Sequence, residues 1–393
     1  MHSIIPHLLL PPLLFLPFYL PPFPHRNTIF GTAIIGTVIL NTLNTFPDER
    51  TLRYGLSGAW IIYFPVLEKL LLHPEPERDF WRLDRRPHEA EYMGPFSMAK
   101  ARWAAALLSS PRGVGWSHGS KRMPSGPVKT QERLRFVVGQ VKSVALATLA
   151  LEALLILNEH ISASEEWNLT QLPTIILVDL LMGLSVYVTW TTQYSVAAGL
   201  SVSTGLSKPT DWPPMFGSIR HASTIGGFWG SFWHGILRQP SLAVSKSLVR
   251  CLGLRPRSNP AYVMHLTNAF LLSTFWHVIS IAPVAENHIS ISQLVLRLSA
   301  FFMAQVPAIL AETALLGPRK DDQSKKTDHA SSKTGSSIQQ TTNRQVIGCV
   351  GVFLWLGLSG WSFFTVYRAV GLLDTKHPFP VIRTVLSWFG VHV

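Results

Sequence analysis

Apolar runs of about 20 residues, the length that crosses a bilayer, recur along this chain between polar stretches of very unequal size. They predict eight spans: 4–24, 29–46, 54–72, 137–157, 173–200, 262–282, 289–315 and 346–371. The first is crowded with prolines (Pro6, Pro11, Pro12, Pro17, Pro21, Pro22). That predicts a kinked or partly unwound helix whose freed backbone groups need neighbours as partners. No Lys/Arg cluster precedes it and no small-residue cleavage site follows it, so it reads as a retained span and not a removed signal peptide. Tyr54, Trp60 and Tyr63 are available as interface aromatics in the third span.

Three long polar stretches separate the spans. Residues 73–136 read as a cytoplasmic loop with the turn signal Pro124-Ser125-Gly126-Pro127 and an amphipathic surface helix over Phe96–Leu108. Residues 201–261 read as a second cytoplasmic loop. Residues 318–345, rich in Ser, Thr, Lys and Asp, read as a disordered loop. A short apolar helix is expected after Pro380. No internal repeat is evident, which weighs against a repeat-built transporter. The expected fold class is all-α: a polytopic integral membrane protein with about eight transmembrane helices and an amphipathic interfacial helix, in a single membrane-embedded domain over 1–393.

Composition agrees with the pattern. Of 393 residues, 47% are apolar and only 14% charged, against roughly a quarter charged in soluble domains. The net charge of +12 would suit a nucleic-acid binder, but its placement does not. Of the 34 Lys and Arg, 25 lie in 73–136, 201–261 and 316–345. This is the positive-inside pattern of cytoplasmic segments, and it points to no nucleic acid. With eight spans, all three basic loops fall on one side. The loop from Glu159 to Gln171 falls on the other; it is acidic and holds the sequon Asn168-Leu169-Thr170, a lumenal glycosylation candidate. Cys251 and Cys349 are the only cysteines, too few for a disulfide framework. The histidines show no metal-ligand spacing, so no metal is expected.

Two segments carry candidate chemistry. On a continuous helix from Phe228 to Arg238, Phe228, Trp229, Phe232, Trp233 and Ile236 share one arc, while Ser231, His234 and Arg238 share the other. By spacing alone this is equally an interfacial anchor or the lining of a cytosolic entrance with His234 and Arg238 facing a pocket. In the sixth span, Ser273, Thr274 and Ser280 fall on the face of His277. An ionisable group in a span normally faces a cavity or a partner. Imidazole suits acyl transfer, which needs a base for the hydroxyl proton as oxygen attacks a thioester. A dry site protects the thioester from hydrolysis. There is no G-x-S-x-G elbow, and Cys251 has no evident histidine partner. Glu152, Asp179, Arg297 and Glu312 read as inter-helix hydrogen-bonding or surface groups. Arg220, Lys246, Arg250, Arg255 and Arg257 read mainly as positive-inside residues.

The order Trp212-Pro213-Pro214-Met215-Phe216, Phe228-Trp229 to Trp233-His234, then Ser273 to His277 in a span resembles the wax synthase-like branch of the membrane-bound O-acyltransferases. The similarity is greatest to fungal members that acetylate terpenoid and meroterpenoid alcohols. The resemblance is carried by about 205–290. It implies His277 as the catalytic histidine and His234 as the residue closing the aromatic motif, with Trp229 and Trp233 as the motif's tryptophans. It also implies an acyl-CoA donor, an alcohol acceptor and an endoplasmic-reticulum membrane. Gly227 and Val278 stand where wax synthases often carry Asp or Asn and Glu, which points away from plant-type wax ester synthesis more than from acyl transfer. The expected function is O-acetyl transfer from acetyl-CoA, as co-substrate with no bound cofactor, to a hydrophobic alcohol in secondary metabolism. His277 is the expected base, with His234 orienting the reactants and Trp229, Trp233, Arg238 and Ser273 lining the donor side. A long-chain wax ester synthase and a non-enzymatic transporter or receptor for hydrophobic ligands are the alternatives. The acetyltransferase reading requires His234 and His277 to face one cavity.

Overall fold

The computed structural model describes residues 2–58, 60–119, 133–162, 171–285, 288–316, 335–372 and 380–388. Asn168 and residues 317–334, most of the stretch expected to be disordered, lie outside them. The helices are α1 Ile5–Tyr19, α2 Arg26–Thr42, α3 Arg50–Ser57, α4 Trp60–Leu71, α5 Pro76–Asp79, α6 Met98–Leu108, α7 Arg133–Ser162 and α8 Leu172–Ser203. Then come α9 Ile225–Gly227, α10 Arg238–Cys251, α11 Asn259–Ala285, α12 Ile291–Leu316, α13 Gly335–Ala369 and α14 Val381–Trp388. There is no strand among the described residues; Arg82 and Trp116 make one isolated bridge. α13 begins inside the stretch expected to be disordered.

Five helices are long and apolar enough to cross a membrane: 133–161, 172–203, 259–285, 291–316 and 343–369. They coincide with the last five expected spans. The first three expected spans fold shorter. α1 has 15 residues and stops before Pro21-Pro22, and α2 has 17. The third expected span is divided between α3, of 8 residues, and α4, of 12. At 1.5 Å per residue, α1 and α2 reach only about 22–26 Å.

The chain forms two compact units. The first comprises 1–121, 235–303 and 365–375. Its core joins Leu10, Leu14 and Phe18 of α1, Ile34 of α2, Tyr63, Phe64, Val66 and Leu70 of α4, and Trp276 of α11. Phe80, Trp103, Leu107 and Trp116, from the expected cytoplasmic loop, belong to the same core. The described part of that loop is therefore folded. Six of its apolar side chains, Ala90 and Ala104 among them, fill the core, and the inner face of α6 packs on protein.

Charges fasten this region to the core. Arg26 makes a bidentate pair with Glu77 (2.6 and 2.9 Å), and Lys100 reaches the same carboxylate (3.2 Å), so α2, α5 and α6 meet at one buried anion. Burial opposes ionisation of Glu77, but the Arg26 hydrogen bonds and the Lys100 charge outweigh it and lower its pKa. Nearby, His73 bridges Glu68 (3.2 Å) and Asp79 (3.0 Å). Burial disfavours its charged form, yet the two carboxylates prevail and raise its pKa. His118, packed on Phe80 and Trp116, is pushed down to about 2 by burial and by the charges of Lys69 and His73, so it stays neutral.

The second unit comprises 122–234, 304–364 and 376–393. α7 and α8 pack along each other, with Ser195 Oγ donating to Ser143 Oγ (3.1 Å). Glu152, in the middle of α7, accepts from the backbone N–H groups of Ile382 (2.8 Å) and Arg383 (2.9 Å) and so caps α14. α13 presses on the turn Ile219–Ser223, where a Cβ on Gly348 would come within 2.3 Å of the Ser223 carbonyl oxygen.

Replacing Glu77 with Ala leaves Arg26 and Lys100 buried without their counter-charge, an error worth about 3–5 kcal/mol. The full-length variant in detergent is expected to lose its monodisperse peak at a markedly lower temperature than wild type. The depressed Glu77 pKa gives a contribution present above the ordinary carboxylate value and lost as pH falls through the folded value. The raised His73 pKa gives one present below the ordinary histidine value and lost as pH rises through the folded value. Thermal stability measured against pH should therefore fall off on both sides of the interval between them.

Candidate active site

The aromatic motif is built in the second unit. Tyr194 on α8 donates its hydroxyl to the Pro213 carbonyl (2.5 Å) and Trp212 donates its indole N–H to Ser207 Oγ (2.8 Å), fixing the entry to the motif. Gly217 then runs against the motif's end, its N–H donating to the Phe232 carbonyl at 2.8 Å. A Cβ there would lie 2.0 Å from the Ser231 carbonyl oxygen, so only glycine permits the approach.

The motif's own helix starts at Thr224, whose hydroxyl accepts from Gly227 N–H (2.9 Å). The carboxylate of Glu312, on α12, accepts from the N–H groups of Ile225 (2.7 Å) and Gly226 (3.0 Å). These acceptors meet three of the donors that a helix start leaves without intrahelical partners. After α9, residues Phe228–Phe232 widen into a π turn, closed by Trp233 N–H on the Phe228 carbonyl (2.7 Å). Such turns recur at functional sites.

Trp233 is extended (ψ 152°) and ends the helix. The expected continuous helix over 228–238 is therefore two elements. Gly235 follows the break, and Pro240 explains the restart: in a through-helix its ring would clash with the Ile236 carbonyl, whereas the first turn of α10 accommodates it. His234 and Arg238 consequently share no helical face. His234 ends the first segment of the second unit and Arg238 opens α10 in the first.

His234 lies among aromatic rings, with centroids 5.3 Å from Trp190, 5.3 Å from Trp233 and 6.2 Å from Phe216. Trp233 also stacks on Phe228 (5.5 Å, 20°). Trp229 donates its indole N–H to Gln305 Oε1 at 3.2 Å.

His277 belongs to α11 in the first unit. Its Nδ1 lies 2.7 Å from the Ser273 carbonyl oxygen. A carbonyl only accepts, so Nδ1 carries the proton, and in the neutral ring Nε2 holds the lone pair. Phe302 packs on the ring at 4.7 Å. Ser273 turns its hydroxyl to the Ala269 carbonyl (3.0 Å), so it supplies His277 with a backbone acceptor while its side chain bonds its own helix.

α11 is held on several sides. Trp276 packs on Phe64 (4.7 Å) and Tyr63 (5.5 Å) of α4. Ser57 Oγ donates to the Ser280 carbonyl (2.6 Å), and Asn268 Nδ2 donates to Ser245 Oγ (2.7 Å) on α10. Among the described residues no cluster of three or more metal-ligating side chains forms.

Residues 212–303 match the model of the membrane bound O-acyl transferase family, an interval that contains both histidine segments. Acetyltransferase ple2 of Rhodocybe pseudopiperita is 28% identical over 261 residues, 64% of this chain and 67% of that one. Acetyltransferase spyB of Aspergillus fumigatus is 33% identical over 171 residues, 42% of this chain but only 28% of the relative. Aspirochlorine biosynthesis protein F of Aspergillus oryzae is 32% identical over 221 residues, 53% of this chain and 86% of that protein. No solved structure matches. The chain belongs to the membrane bound O-acyl transferase family: it is an integral membrane protein and an acyltransferase.

Sequence reasoning singled out His277, His234, Ser273, Trp229, Trp233 and Arg238. Phe216 enters it only as part of the Trp212–Phe216 pattern, and Trp190 and Gln305 do not enter it. Gln305 has a visible signal, an amide inside the apolar run Phe301–Leu310.

Gly217→Ala is expected to displace the π turn and lower ester formation at least about tenfold, since overpacking against backbone costs roughly 1–3 kcal/mol. Gly230→Ala, whose Cβ meets nothing within 4 Å, is expected to stay near wild type in the same assay.

Proposed function

We propose that the protein moves an acetyl or other short acyl group from its CoA thioester to a hydroxyl of a hydrophobic, terpenoid-like metabolite in a secondary-metabolite pathway. The observation that carries the mechanism is the Nδ1–H bond of His277 to the Ser273 carbonyl, because it leaves Nε2 as the basic nitrogen. Nε2 takes the proton of the acceptor hydroxyl as its oxygen attacks the thioester carbonyl. The tetrahedral intermediate expels CoA thiolate, and the imidazolium returns the proton to that sulfur. Protons balance, and no enzyme acyl intermediate is needed. The acetyltransferase names of ple2 and spyB support the donor.

His234, set in its aromatic surroundings, orients or polarises the reactants. Trp229, Trp233 and Arg238 shape the side from which acyl-CoA enters. The basic stretches are cytosolic, where CoA is, and the membrane is that of the endoplasmic reticulum. The lipid bilayer delivers the hydrophobic alcohol.

Membranes carrying the full-length protein, given labelled acetyl-CoA and candidate alcohols, should form ester. His277→Ala should lower the rate about 10²–10⁴-fold, the usual worth of a general base. Unchanged ester formation in that variant would remove His277 from the chemistry. If both histidines serve one step, adding His234→Ala to His277→Ala should cost less than it does in the wild-type background. Palmitoyl-CoA should neither react nor compete well. Efficient palmitoyl transfer would make the protein a wax ester synthase instead.

A further inference from the structure

One helix serves the motif at two points. Glu312 caps its first turn, and seven residues earlier, two turns along the same face of α12, Gln305 reaches Trp229. Ile309 lies between them, and a Cβ on Gly226 would meet its Cγ2 at 3.5 Å. Gln305 is fully buried. Its Oε1 accepts from the indole N–H groups of Trp229 (3.2 Å) and Trp355 (2.9 Å), and its Nε2 donates to Ser359 Oγ (3.4 Å). Ser359 in turn donates to the Trp355 carbonyl (2.8 Å). The amide orientation is forced, since a flipped group would set NH₂ against two indole donors. Both lone pairs of the carbonyl are thereby used.

We infer that Gln305 is a positioning residue for acyl transfer: its side-chain carbonyl fixes the Trp229 indole in the orientation the donor side requires. The inference rests on the reading that Trp229 shapes that side. Trp229 is half-buried on a π turn, with Phe228 (5.1 Å) and Trp233 (6.3 Å) in edge contact with its ring. A bond from a fully buried amide, itself tied to α13 through Trp355 and Ser359, adds a directional constraint that ring packing does not supply. Glutamate is the one substitution expected to keep the acceptor pair, because Glu152 and Glu312 show carboxylates of this chain accepting two N–H groups each.

The test is a double-mutant cycle on the full-length protein with acetyl-CoA as the varied substrate. Gln305→Met and Trp229→Phe should each lower kcat/KM about tenfold, mainly through KM, because both remove the Trp229–Gln305 hydrogen bond, worth roughly 1 kcal/mol or more when buried. The double variant should be no worse than the poorer single. Gln305→Glu and Trp355→Phe should each stay within about threefold of wild type. The inference is overturned if the losses of Gln305→Met and Trp229→Phe multiply. It is equally overturned if Trp355→Phe falls as far as Trp229→Phe, or if Gln305→Glu falls as far as Gln305→Met; Gln305 would then be a general strut. An active Gln305→Met beside an impaired Trp229→Phe would sink this inference alone. An unimpaired Trp229→Phe would sink the reading of Trp229 itself. Should Gln305→Met fail to accumulate, Gln305→Ala enters the same cycle with the same expected outcomes.

Discussion

A polar group removed from water must find its partner inside the protein, and this requirement organises the functional parts of the chain. Four buried or half-buried side chains in the long apolar helices answer it in related ways. Glu312 and Glu152 each take two backbone N–H groups at the start of a short helix. Gln305 takes two indole N–H groups. His277 gives its Nδ1 proton to a carbonyl one turn back on its own helix. In the first three cases the polar group holds another element in place. In the fourth it holds the imidazole itself, and the same bond that satisfies Nδ1 leaves the lone pair on Nε2.

Each histidine segment has its own support within its own unit. α11 is fixed by Trp276 in the core of the first unit and by Asn268 and Ser280 at its polar contacts, so His277 has little rotational freedom. The aromatic motif is fixed by its cap, by the contact at Gly217 and by Gln305. Preorganisation of this kind is what acyl transfer needs, because a base displaced by an ångström loses much of its effect.

Much of this was legible in the residues. The last five apolar runs became five helices able to span a bilayer, because runs of that length admit no other satisfied backbone. His277 stands out as an ionisable group deep in such a run. Glu152 and Glu312 were legible as bonding groups but not by partner, since their partners are backbone groups far away in sequence. Three features were hidden. Proline-rich and interrupted runs gave α1 to α4 less length than their hydropathy suggested. Polar-looking residues 73–119 contain Phe80, Trp103 and Trp116, few enough to escape a periodicity reading and sufficient to fill a core. The aromatic motif looks like one helix because periodicity is blind to a π turn; Gly235 and Pro240 break it.

The central claim is that Nε2 of His277 takes the acceptor's proton, and chemical rescue tests it most directly. The His277→Ala protein would be supplied with a series of substituted imidazoles, and ester formation from acetyl-CoA measured for each. The account predicts that small imidazoles restore the rate saturably and that the restored rate rises with the basicity of the imidazole. A variant that turns over like wild type without imidazole, or a residual rate indifferent to imidazole basicity, would contradict it.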